Sequence, residues 1–76
     1  MVNILVTGAA GYIGSVCSEV LISRGMSVIA LDSLVEGHRP AVPPDAIFCQ
    51  VDLADRAQLD AVFSRHKIDA VMHFAA

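Results

Sequence analysis

Short unbroken apolar runs alternate along this chain with longer stretches in which apolar residues recur every three or four positions. Ile4-Leu5-Val6 is a β-branched run that stops at Gly8, the mark of a buried strand. From Tyr12 the period changes. Ile13, Val16, Cys17, Val20 and Leu21 fall on one stripe of a helix and are expected to face the core, with Arg24 and Gly25 ending it. Val28-Ile29-Ala30-Leu31 predicts a second buried strand, ending at Asp32. Gly37, Pro40, Pro43 and Pro44 break up the stretch from Ser33 to Asp45, which reads as a long irregular loop. Ala46 to Val51 predicts a third strand and Asp52 to Asp55 a turn. Leu59, Val62, Phe63 and His66 mark a second helix, and Ala70 to Phe74 a fourth strand.

Continuous apolar strands linked by helices predict an α/β fold with a parallel sheet covered on both faces. Right-handed crossovers put the four strands in the order 3-2-1-4, one helix on each face. This is half of a doubly wound fold, read as a single unit over residues 1–76. Such sheets bind ligands at the carboxyl ends of their strands, where the order reverses.

Gly8, Gly11 and Gly14 stand at that reversal, between the first strand and first helix. Gly8 permits the tight turn, Gly11 lets backbone approach a diphosphate, and Gly14 allows close helix packing. The uncompensated N–H groups of the helix start then face the phosphates. The other reading is a tight turn that binds nothing, but the strand before, the helix after and an acid ending the next strand favour a dinucleotide. Asp32 follows Gly8 by 24 residues. A carboxylate there accepts from the adenosine ribose and repels a 2′-phosphate, which favours NAD; its plainer role is to turn the chain. Arg39, close in sequence, can soften that preference. Asp52, on the same rim, either accepts from the adenine amino group or caps the second helix, for which Asp55 is better placed.

Composition narrows the setting. With 5 Lys and Arg against 8 Asp and Glu, the charge of −3 argues against a nucleic-acid partner. At 55% hydrophobic and 17% charged, the chain is too apolar to be disordered. Two cysteines do not make a secreted disulfide framework. The first residues lack the basic lead-in of a signal peptide, and no apolar run reaches the roughly 20 residues of a membrane span. A cytoplasmic protein is expected. His38, His66 and His73 lack metal-ligand spacing, so no metal is expected. His66 reads as the last helical turn, His73 as packed in or beside the sheet, and Cys17 and Cys49 as buried small hydrophobes. Glu36, Arg39 and the prolines read as a solvated loop that can approach a ligand.

Thr7-Gly8-Ala9-Ala10-Gly11-Tyr12-Ile13-Gly14-Ser15 resembles the opening of the extended short-chain dehydrogenase/reductases, and within them most the UDP-glucose (UDP-galactose) 4-epimerases. Asp32-Ser33-Leu34 with Gly37-His38-Arg39, Val51-Asp52-Leu53, and Met72-His73-Phe74-Ala75-Ala76 agree in order, so the likeness covers the whole chain. Ala9, Val16 and Ser33 stand where many members have Gly, His and Asn. The resemblance implies the first half of a Rossmann domain that binds NAD. In it Tyr12 and Ile13 would offer amides to the diphosphate, Asp32 and Ser33 would hold the ribose, and Asp52 and Leu53 would frame the adenine. Phe74, Ala75 and Ala76 would line the cofactor toward its nicotinamide. The family's chemistry is a hydride shuttle at C4 of a nucleotide sugar, served by a Tyr-x-x-x-Lys pair. This chain has one tyrosine, Tyr12, and one lysine, Lys67, 55 positions apart. The 76 residues are therefore expected to be inactive alone, with catalytic and sugar-binding residues lying downstream. Nucleotide-sugar dehydratases and other extended reductases share this front half. A second class of function also stands: a self-assembling scaffold with weak or no affinity for NAD or its AMP moiety. In either case the apolar edge of the fourth strand predicts self-association, as a homodimer or larger assembly.

Overall fold

The computed structural model describes residues 1–75; the expectation placed on Ala76 lies outside them. The elements are β1 (Asn3–Thr7), α1 (Tyr12–Ser23), β2 (Ser27–Asp32), β3 (Ile47–Gln50), α2 (Arg56–Arg65) and β4 (Ala70–His73). All strand pairs are parallel and the order is β3-β2-β1-β4, as the pattern predicts. In register, Leu5 lies between Ile29 and Val71, and Val6 between Ala30 and Met72.

Alternation along these central strands builds two cores. Ile4, Val6, Val28 and Ala30 project to one face, where Leu21 and Ile22 of α1 cover them. Leu5, Ile29 and Leu31 project to the other, under Leu59 and Val62 of α2. Each of the larger of these side chains, taken fully out of water, contributes about 1.5–3 kcal/mol. Asn3 ties the entry to β4: its amide donates to Asp69 Oδ2 at 2.8 Å and its Nδ2 to the Lys67 carbonyl at 2.7 Å.

Only part of the apolar stripe of α1 faces the sheet: Leu21 packs on the core and Cys17 is half-buried, but the other three stripe residues turn outward. Gly14, Ser15 and Ser18 are buried there instead, while Ile13, Val16 and Val20 are 64%, 44% and 47% exposed. Small residues let the helix lie close, and the hydroxyls satisfy themselves: Ser18 Oγ donates to the Gly14 carbonyl at 2.8 Å and Ser15 Oγ to the Tyr12 carbonyl at 2.9 Å. A hydrophobicity pattern picks the greasiest face, and here the closest-packing face is a different one. Arg24 is the C-cap of α1 and Gly25 follows at φ +84°. The Gly25 amide donates to Ile22 and the Met26 amide to Leu21, closing the last turn in a Schellman arrangement.

The stretch after β2 is not wholly irregular. Arg39–Ala41 forms one 3₁₀ turn with Pro40 at its start, where a locked φ and missing N–H cost nothing. In α2, Asp55 caps as expected, accepting from the Gln58 amide at 3.1 Å; His66 is the C-cap, and Phe63 is half exposed. Neither cysteine is fully buried: Cys17 Sγ lies 3.6 Å from Met72 Sδ, and burial pushes the Cys49 thiol upward against the opposing pull of Arg65. Among the described residues no helix is long and apolar enough to cross a membrane.

Candidate functional site

Two adjoining cavities open at the carboxyl ends of the strands, of about 440 and 130 Å³. Gly8, Asp32, Ser33 and Ala75 line both; Gly11, Glu36, Gly37 and Phe74 complete the larger, and Asp52 and Leu53 the smaller. Eight of the residues singled out from the sequence therefore meet at one rim: Gly8, Gly11, Asp32, Ser33, Asp52, Leu53, Phe74 and Ala75. Tyr12 and Ile13, 84% and 64% exposed, occupy the first turn of α1 beside Gly11.

The loop owes its shape to its glycines. Gly8 has φ +69°, and a Cβ there would lie 2.8 Å from the Ala75 nitrogen and the Phe74 carbonyl carbon. Its bareness thus admits the end of β4, a role in addition to the turn. A Cβ on Gly14 would strike the Gly8 carbonyl oxygen, so α1 seats directly on the loop. At Gly11 a Cβ would meet only the Gly8 oxygen, at 3.3 Å, which leaves that side open. Gly11 is also the N-cap of α1, with no side-chain cap and no acid in the first turn. Contrast α2, whose N-terminus is capped by Asp55. The first-turn amides of α1 are the ones left for an anion, at the positive end of the helix.

Asp32 is 8% exposed and spans the site. Its Oδ2 accepts from the Ala10 amide and its Oδ1 from the Leu34 amide, both at 2.8 Å. One carboxylate thus clamps the glycine loop to the segment after β2 and holds Leu34 at φ 66°. Two amides use about half of a carboxylate's acceptor positions, and the rest suit a pair of ribose hydroxyls. The structural role therefore leaves acceptor positions to spare. Gly37 closes over this group: a Cβ there would lie 2.8 and 2.9 Å from the two carboxylate oxygens.

Ser33 Oγ accepts from the Val35 amide at 3.4 Å, and Asp52 Oδ1 accepts from the Ala54 amide at 2.9 Å. Asp52 is therefore an exposed turn residue on the wall of the smaller cavity, while Asp55 does the capping.

Glu36 lines the larger cavity, in keeping with a solvated loop that can approach a ligand. Two residues next to this rim escaped the sequence reading. Thr7 and His73 form a clip between the ends of β1 and β4: Thr7 Oγ1 and His73 Nδ1 are 2.6 Å apart, and the Phe74 amide donates to Thr7 Oγ1 at 3.2 Å. His73 is exposed rather than packed, because β4 lies at the sheet edge. Only strand register, which sets Thr7 beside His73, could have revealed the pair. Arg39 lines neither cavity; its guanidinium lies over the Phe48 ring, 4.3 Å from the centroid. No group of three metal-ligating side chains occurs among the described residues.

Known proteins share this sequence and arrangement. The chain is 50% identical over 74 residues to a UDP-glucose 4-epimerase of Lacticaseibacillus casei, covering 97% of this chain and 22% of that protein. It is 55% identical over 75 residues to the UDP-glucose 4-epimerase of Streptococcus mutans, again 22% of its length. The crystal structure of Thermus thermophilus UDP-glucose 4-epimerase in complex with NAD superposes with a TM-score of 0.94 at 42% identity, over 97% of this chain and 24% of that one. The chain thus spans under a quarter of the length of these relatives. The model of the NAD dependent epimerase/dehydratase family matches residues 4–76. With the glycine loop, Asp32 and the 3-2-1-4 sheet in place, this chain belongs to that family.

Proposed function

We propose that these residues are the nucleotide-holding part of a UDP-sugar 4-epimerase, and that they bind NAD chiefly through its adenosine and diphosphate. The observation that carries this is the buried Asp32 carboxylate, joined to the glycine loop and bordering both cavities. The uncapped amides of Tyr12 and Ile13 receive the diphosphate, with Gly8 and Gly11 giving access. Asp32 and Ser33 take the ribose, Asp52 and Leu53 the adenine, and Phe74 and Ala75 continue toward the nicotinamide. Bound NAD supplies a reversible hydride acceptor for C4 of UDP-glucose or UDP-galactose. The proton chemistry belongs to residues outside these 76, whose one tyrosine and one lysine are far apart in sequence. The two free cysteines support a cytoplasmic setting.

Calorimetric titration with NAD and with AMP tests this reading on the wild type, Asp32→Ala and Gly11→Val. Comparable binding of both ligands by the wild type, lost in Gly11→Val, is expected. Equal heats from all three proteins would sink it.

A second reading, a self-assembling scaffold, draws on β4. This edge strand is exposed throughout, with Val71 50% and Met72 37% accessible, and Phe74 beyond it is 38% accessible. Unpaired apolar edges recruit further strands. Self-association is compatible with nucleotide binding, and light scattering over a concentration series should show a homodimer or larger species. A monomer at every concentration would rule it out.

A further inference from the structure

Every charged side chain lining the two cavities is an acid: Asp32 and Glu36 in the larger, Asp32 and Asp52 in the smaller. Arg39 follows two residues after Gly37, in the loop that borders the larger cavity. The amide of its neighbour His38 donates to the Ala10 carbonyl at 2.9 Å, and the Ala10 amide donates to Asp32 at 2.8 Å. Two hydrogen bonds through Ala10 thus tie the loop that carries Arg39 to the carboxylate. The guanidinium nevertheless points elsewhere, onto Phe48. Phe48 pairs with Ala30, two residues before Asp32, so its ring lies about 6.5 Å below the rim along the strand direction. It is packed against the α1-side core and partly buried, which fixes the ring as a platform.

We propose that Phe48 is a specificity-determining residue for the nucleotide. By stacking Arg39 beneath the rim, it leaves the ribose 2′ position to Asp32 and Glu36 alone and so disfavours a 2′-phosphorylated dinucleotide about threefold. The proposal rests on the nucleotide reading above. A phosphate brings about −1.5 to −2 charges, which two carboxylates oppose and which an arginine fork would neutralise. The stack is exposed, so releasing it alters the orientation of Arg39 by a factor of about three.

The test compares AMP with adenosine 2′,5′-bisphosphate by calorimetry on the full chain. In Phe48→Leu, which keeps an apolar side chain on β3, the bisphosphate:AMP affinity ratio is expected to rise roughly threefold with AMP affinity unchanged. Adding Arg39→Gln returns the ratio to the wild-type value. Arg39→Gln alone, an exposed loop change that spares the core, leaves the ratio where it was. A fall in the ratio with Arg39→Gln alone would mean the guanidinium already serves the site, and would overturn the proposal. So would an unchanged ratio in a folded Phe48→Leu that still binds AMP. Failure of the wild type to bind AMP at all would overturn the nucleotide reading itself, and this inference with it.

Discussion

Asp32→Asn isolates the clamp at the centre of the site. The substitution keeps shape and volume but exchanges two acceptor oxygens for one oxygen and one NH₂ group. In the wild type both oxygens receive backbone amides at 2.8 Å, from Ala10 and Leu34. An asparagine can serve one and must present donors to the other. Ala10 is 2% exposed and Leu34 only partly buried, so the carbonyl will turn to Ala10 and Leu34 will lose its partner. A hydrogen bond to a charged acceptor contributes about 1.5–3 kcal/mol, and the opposed donors add to its loss. We expect destabilisation of about 2–3 kcal/mol, against a total of roughly 4–11 kcal/mol for a chain of this size. That is a fall in Tm of roughly 10–20 °C. Urea unfolding followed by circular dichroism measures the first quantity, with an unchanged slope as the check that the denatured state is the same. Amide exchange locates the damage: Leu34, held at φ 66°, should lose protection while Ala10 keeps it. A loss below about 0.5 kcal/mol, or equal protection at both amides, would refute the clamp.

Other expectations follow from the same geometry. Gly14→Ala drives a Cβ into the Gly8 carbonyl and should cost at least about 2 kcal/mol, whereas Gly25→Ala, at φ +84° with nothing within 4 Å, should cost about 1 kcal/mol. Thermal melts of the two variants side by side check the contrast. Thr7→Val removes the hydroxyl that joins His73 and accepts from the Phe74 amide, and should cost about 1 kcal/mol and weaken AMP binding, while Thr7→Ser restores both; equal AMP affinity in all three proteins would show that the clip does not shape the site. Burial raises the Cys49 thiol above its ordinary 9.0, so the folded state holds the proton to higher pH than the unfolded chain. Stability from this source is intact below the unfolded value and declines as pH climbs through 9.0 toward the folded one. Unfolding curves of Cys49→Ala and wild type should therefore differ by a constant at neutral pH and converge or cross above it.

The strand order and the place of the site were legible in sequence because they rest on local rules. Continuous apolar runs need a sheet covered on both sides, handedness orders the strands, and a glycine turn with an acid one strand away marks the rim. Gly8, Gly11, Asp32 and Asp52 were found that way, Ser33 and Leu53 only through the family resemblance, and the coordinates bring all six together at the two cavities. What the pattern missed depends on close approach between segments distant in sequence. The buried face of α1 is set by how near Gly14, Ser15 and Ser18 let the helix come, a distance that hydrophobicity does not encode. Likewise, strand register puts Thr7 beside His73, and the 3₁₀ turn carries Arg39 onto Phe48. The chain's chemistry determined which residues can gather at the strand ends. Tertiary packing alone decided which charges line the two cavities, because an arginine's direction is settled by the surface it lies on and not by its neighbours in sequence.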